Sequence, residues 1–187
     1  MTGSSRLFTG IIAWIPLAVV FSVALGSTYV GLQQVYRQGA NDPQIQMAED
    51  IAERIRLGAD PRSIIPAEKV DIAKSLAPYV YIFDAGLNIL GTSAELQALQ
   101  VLPPRGSLES ALEHGQNRVT WEPSAGQRQA LVVIRGEGVR SDIIAVGRSL
   151  RETEAREADL LVLFFVAWTV GLSLSLGAVI LKYHLQP

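Results

Sequence analysis

The 187-residue chain has no cysteine and only two histidines. Without cysteine there is neither a disulfide framework nor a thiolate metal site, so stability has to come from packing. The two histidines, His114 and His184, are separated by a long apolar run and are expected on opposite sides of a membrane, where they share neither a metal nor a triad. The sequence also lacks a P-loop, a dinucleotide fingerprint, an HExxH helix and a GxSxG elbow. Gly136, Glu137 and Gly138 make a weak glycine pair that reads as a hairpin turn. No catalytic residue, metal site or cofactor is therefore assigned, and the chain is read as non-enzymatic.

Charge is scarce in two places only. Residues 7–32, LFTGIIAWIPLAVVFSVALGSTYVGL, form a run of 26 without one charge, and residues 160–181 form a second of 22. At about 1.5 Å per residue each is long enough for the roughly 30 Å of a bilayer core. Arg6 and the small-x-small triplet Ala24-Leu25-Gly26 also fit a cleaved signal, but the first run is much longer than a signal core. Pro16 is expected to kink or break this span. Arg6 flanks one end of the pair and Lys182 with His184 the other, which puts both termini in the cytoplasm. Arg37, Arg148, Arg151 and Arg156, near the opposite ends, weaken the asymmetry. Of 16 basic and 18 acidic residues, only Arg6 and Lys182 lie outside residues 33–159, so that middle is about −4. It suits a mildly acidic domain outside, with no nucleic-acid partner expected.

The middle is large enough for one small domain. Asp42 as N-cap, Pro43 at the first position and Gly58 past the end predict a helix with Ile45, Ala48, Ile51, Ala52 and Ile55 as its buried stripe. Asp60-Pro61 starts a turn, and residues 66–76 predict a second helix with Val70, Ile72, Ala73 and Leu76 apolar. YVYIF (79–83) and residues 89–92 predict a hairpin whose turn, DAGLN, has Gly86 or Asn88 available for positive φ. SLESALEHG predicts a helix capped by Ser107 or Ser110 and ended by Gly115. RVTWEP, RQALVVIRG and DIIAVGRSL, separated by SAGQ and GEGVRS, predict three more strands. The order is that of an α+β domain on an antiparallel sheet.

The run YIFDAGLNILGTSA resembles the Asp-x-x-Gly hairpin of the PAS-like Cache sensor domains found outside the membrane in bacterial histidine kinases and chemoreceptors. IIAVGRSLRETEAREADLL is similar to their last strand and juxtamembrane helix. Gly86 falls one position early, so Asn88 is expected to take the turn role. The resemblance implies a PAS-like antiparallel sheet with N-terminal helices, flanked by two transmembrane helices. It divides the chain into cytoplasmic tail 1–6, transmembrane helix 7–32, extracytoplasmic domain 33–149, juxtamembrane helix 150–159, transmembrane helix 160–181 and cytoplasmic tail 182–187. Those receptors continue into a signalling helix pair and a kinase or methyl-accepting region, absent from these 187 residues. The chain is then either the input half of a receptor or a protein that signals laterally.

In such sensors a small molecule sits between the sheet face and the segment after the hairpin, here the face of residues 79–83 and residues 93–105. Tyr79, Tyr81, Arg118, Trp121, Arg128 and Arg148 are the candidate ligand-binding residues, an arginine fork being suited to a carboxylate. The plain alternative is that Tyr79, Tyr81 and Trp121 are core and the arginines solvated strand-end charges. On the spans, Ala18, Ser22 and Gly26 and likewise Ala167, Gly171 and Ser175 recur every four residues, small-residue lines that allow close helix approach. Packing of the two spans on each other is preferred over a second copy or another membrane protein. RSLRETEAREADLL, with its Glu152–Arg156 pair, is a helix too short to stand alone.

The expected function is that of a bacterial inner-membrane protein with a sensory or modulatory extracytoplasmic domain. The alternative is an accessory subunit whose domain docks another protein and binds no small ligand.

Overall fold

The computed structural model describes residues 3–39, 41–137 and 141–185. Two compact units divide the chain, one of them Arg37–Glu154 and the other formed by the long helices at its two ends.

In the helical unit, α1 (Gly3–Gly39) is one helix that contains Pro16, so of the expected kink or break the break does not occur, and α5 extends over Arg151–Leu185. The juxtamembrane stretch and the second apolar run are thus one element. Residues Phe8–Tyr36 and Arg151–His184 are long and apolar enough to cross a membrane. Their outward side chains are exposed and apolar, among them Val20, Val23, Val162, Leu163 and Leu174.

The other unit is a mixed α+β domain. Its five-stranded antiparallel sheet has the order β3 (Ile89–Thr92), β2 (Tyr79–Phe83), β7 (Ile143–Ser149), β6 (Gln129–Arg135), β5 (Gln116–Trp121). The sequence-contiguous hairpin and meander are joined by the pairing of β2 with β7, which puts β7 at the centre. Both faces are covered, as the nearly continuous apolar runs of β2, β6 and β7 require. One face packs Val80, Ile82, Ile144 and Val146 against Ala48 and Ile51 of α2 (Asp42–Arg56) and Ile64 of α3 (Pro61–Ile64). The other carries Tyr79, Tyr81, Phe83, Leu131, Val133, Ile143 and Ala145 beneath Leu108 and Ala111 of α4 (Arg105–His114).

Several local expectations shift. The N-cap of α2 is Asn41, one residue earlier than Asp42, and its side chain makes no capping bond. Asp60 caps α3 by accepting from the Arg62 N–H at 3.1 Å, so a short helix stands where only a turn was expected. No helix forms over residues 66–76. Val70–Asp71 is a strand, β1, parallel to β4 (Ala94–Glu95), and the N–H groups of Val70 and Ile72 donate to the carbonyls of Ser93 and Glu95. An eleven-residue helix is marginal alone, and Asp71 offers the backbone a local alternative by accepting from the Ala73 N–H.

Helix α4 starts two residues before Ser107, whose hydroxyl donates to the Pro104 carbonyl instead of capping, and Ser110 lies inside the helix. Gly115 ends it at φ 87°. In the β2–β3 turn the positive φ falls on Leu87, at 62°, on neither Gly86 nor Asn88. Asp84 holds that turn by accepting from the N–H groups of Gly86 and Asn88, both at 2.8 Å. The expected GEGVRS turn lies partly outside the described residues, at positions 138–140.

Candidate functional site

The aromatic face of the sheet is filled. Tyr79 and Tyr81 meet edge to face at 5.7 Å between ring centres, and Tyr81 stacks on Phe83 at 6.0 Å. Tyr79 pairs with Gly147, and its ring lies across that glycine: a Cβ there would come within 2.3 Å of Cζ. The glycine opens a path over β7, so the Tyr79 hydroxyl accepts from Trp121 Nε1 at 3.2 Å, three strands away. The Tyr81 hydroxyl donates to the Val101 carbonyl at 2.9 Å, which ties the segment after β4 down onto the sheet. Burial pushes both phenols well above the ordinary tyrosine range, so they remain neutral and serve as hydrogen-bonding groups.

The three arginines do not join them. Arg118, Val132, Val146 and Val80 are successive register partners across four strands, a row on the opposite face from Tyr79 and Tyr81. Arg118 is exposed. Arg148 lies one position beyond Gly147, the Tyr79 partner, and so alternates to the other face as well. Its Nη2 is 2.8 Å from Glu152 and its Nε donates to the Leu76 carbonyl at 3.0 Å. Arg128 bridges to Glu154 at 2.8 Å. The predicted set therefore separates into an aromatic core cluster, one solvated arginine and two arginines engaged with the first turn of α5.

An open groove of about 430 Å³ lies elsewhere on the domain, between α2, the end of α4 and the β5–β6 strands, and includes Glu49, Glu53, Arg56, His114, Arg135 and Glu137. Part of its charge is already engaged. Glu53 and Arg56 are 2.6 Å apart, a contact that lowers the Glu53 pKa and raises that of Arg56, and Arg135 donates to the Leu112 carbonyl. Nothing there was anticipated from the sequence, because its residues come from four separate elements.

In the helical unit the two long helices run antiparallel. Trp14 Nε1 donates to Ser175 Oγ at 2.8 Å, and Trp168 Nε1 donates to Ser22 Oγ at 2.9 Å, a reciprocal pair two turns apart on each helix. Tyr29 meets Phe164 with ring centres 5.0 Å apart, and a Cβ on Gly171 would meet Phe21 Cζ at 2.3 Å. Ser22, Gly171 and Ser175 lie on this seam, and Ala18 and Gly26 are likewise half-buried. Ala167 is a correction: it is exposed, and Trp168 occupies that turn because its indole reaches the Ser22 hydroxyl. Gly26 meets no atom that a Cβ would touch, so it is not a point of close approach. The missed signal was the spacing of Trp14 to Ser22 and Trp168 to Ser175, a donor and an acceptor two turns apart in each charge-free run.

No protein-family model matches this chain, and no curated protein matches it.

Proposed function

We propose that the protein is a non-enzymatic, two-pass bacterial inner-membrane protein whose extracytoplasmic, PAS-like domain modulates a membrane partner through α5. The observation that carries this reading is the junction of sheet and helix: β7, the central strand, ends at Ser149, and α5 begins at Arg151. One residue, Leu150, separates the central strand from a helix long and apolar enough to span a bilayer. Any displacement of β7 relative to its neighbours therefore acts on the start of that helix. The hairpin, helix and meander order supports the PAS-like resemblance, and the basic residues Arg6 and Lys182 support cytoplasmic termini.

The packed aromatic face favours a second reading, an accessory subunit that docks another protein and holds no ligand. Purification in mild detergent after crosslinking, followed by mass spectrometry, tests the partner common to both. A defined membrane protein crosslinked to the chain is expected; recovery of a lone monomer overturns lateral action. Thermal shift against metabolite sets separates the two readings, since a ligand at 100 times its dissociation constant adds about 2.7 kcal/mol. Orientation is tested by impermeant maleimide on intact cells, because the chain lacks cysteine. A cysteine replacing Leu99, which is 71% exposed, should react, and one replacing His184 should not.

A further inference from the structure

Between β1 and β2 the backbone leaves the sheet, and its carbonyls are satisfied by side chains in a regular alternation. Gln129 Nε2, at the start of β6, donates to the Ile72 carbonyl at 2.9 Å. Arg151 Nη2, the first residue of α5, donates to the Lys74 carbonyl at 2.7 Å. Arg148 Nε, near the end of β7, donates to the Leu76 carbonyl at 3.0 Å. The same guanidinium holds Glu152 on the first turn of α5. Arginine suits this double task because its donors are fixed in one planar fork.

Gln129 is 1% exposed, and among the described residues its Oε1 has no hydrogen-bond partner. A buried amide used on one side only is costly, so its retained contribution is the bond to Ile72. Upstream, the same segment is tied to the layer over the aromatic face, since Ile72 N–H donates to the Glu95 carbonyl in β4. Downstream it enters β2 at Tyr79.

We propose that residues 72–76 form a strap that couples the β1–β4 layer over the aromatic face to the first turn of α5. A partner or ligand that lifts that layer pulls on Ile72, and the strap carries the displacement to Arg151 and Arg148. Of the arginines predicted to bind a ligand, Arg148 thus acts as a positioning residue for the helix, together with Arg151. The meaning of the strap for signalling rests on the function proposed above. The two fail separately: protection of residues 160–181 by the micelle reports the span, while exchange in the strap and in the first turns of α5 reports the coupling.

The test is hydrogen exchange of the full chain in detergent micelles. Gln129→Leu removes the bond to Ile72 and touches no residue of α5. It should speed exchange about tenfold over residues 73–77 and also over residues 152–156, as expected for the loss of one well-formed buried bond. Arg128→Gln breaks a bridge to α5 that does not involve the strap, and should speed only residues 152–156. If Gln129→Leu loses protection throughout β6 and β7, Ala73→Gly/Ala77→Gly carries the test, since it loosens the strap and leaves every side-chain hydrogen bond in place. A folded variant with a loosened strap and residues 152–156 at the wild-type rate overturns the proposal.

Discussion

Gly147→Ala offers a test in which the sign of the effect, and not only its size, decides. Gly147 sits in the central strand without a positive φ, so by backbone entropy alone an alanine should stabilise the domain by about 0.5–1 kcal/mol. Against this, the new Cβ would lie 2.3–2.4 Å from Cζ, Cε2 and Oη of Tyr79. Tyr79 is 1% exposed and cannot swing into solvent. Overpacking of this kind costs about 1–3 kcal/mol, and displacing the phenol also breaks the bond from Trp121, worth about 1 kcal/mol. The balance is a net loss of about 2 kcal/mol, or a fall of roughly 10 °C in Tm for a domain of this size. Urea unfolding in detergent, read from Trp121 fluorescence after Trp14→Phe and Trp168→Phe, measures it. In a Tyr79→Val background the clash is gone and the same substitution should be neutral or stabilising. A stabilised Gly147→Ala, or an equal loss in both backgrounds, refutes the account of the aromatic face.

Three further outcomes follow from the geometry. Ser22→Ala and Trp168→Phe should couple by about 0.6 kcal/mol in a double-mutant cycle of helix association, and simple additivity would remove the Trp168–Ser22 bond from the seam. Gln97 and Ala98 hold φ of 51° and 63° in the turn closed by mutual Leu96 and Leu99 backbone bonds, so Ala98→Gly should stabilise by about 1 kcal/mol. An unchanged urea midpoint would mean that the turn is unstrained. The carboxyl of Asp84, held down first by the Asn88 side chain and then by backbone N–H groups, should titrate below the usual aspartate value of about 3.9. Its contribution is complete above that unfolded value and disappears as pH falls through the lower folded one, and an NMR titration midpoint at or above 3.9 contradicts it.

Much of the domain is legible in local pattern. The strands over residues 79–83, 116–121, 129–135 and 143–149 announce themselves by branched and aromatic residues, and α2 by its Asn-Asp-Pro start and Gly58 stop. The candidate site is not legible, for a reason of register. Arg118 and Trp121 are an odd number of positions apart on one strand, so their separation onto opposite faces follows from alternation alone. Whether Arg148 shares the face of Tyr79 depends on which residue of β7 stands opposite it, and that is fixed by packing across the whole sheet. The apolar spacing of residues 66–76 fits a helix, while the backbone partners that make part of the segment a strand, Ser93 and Glu95, lie more than twenty residues away.

The distribution of charge bears on what the domain meets. Among the described residues, the buried polar groups of the aromatic face include two neutral phenols, one indole N–H and an uncharged amide, none of which offers a cation to an anionic ligand. A neutral ligand would first have to displace Ile72, Leu108 or Trp121, each a loss of several kcal/mol by analogy with core truncations. Arg128 and Arg148 are drawn instead to the first turn of α5. Contact from outside, acting on the β1–β4 layer or on the exposed Leu99 and Leu102 beyond it, needs no such displacement. Under the function proposed above, contact from outside is therefore the less costly way to act on this domain.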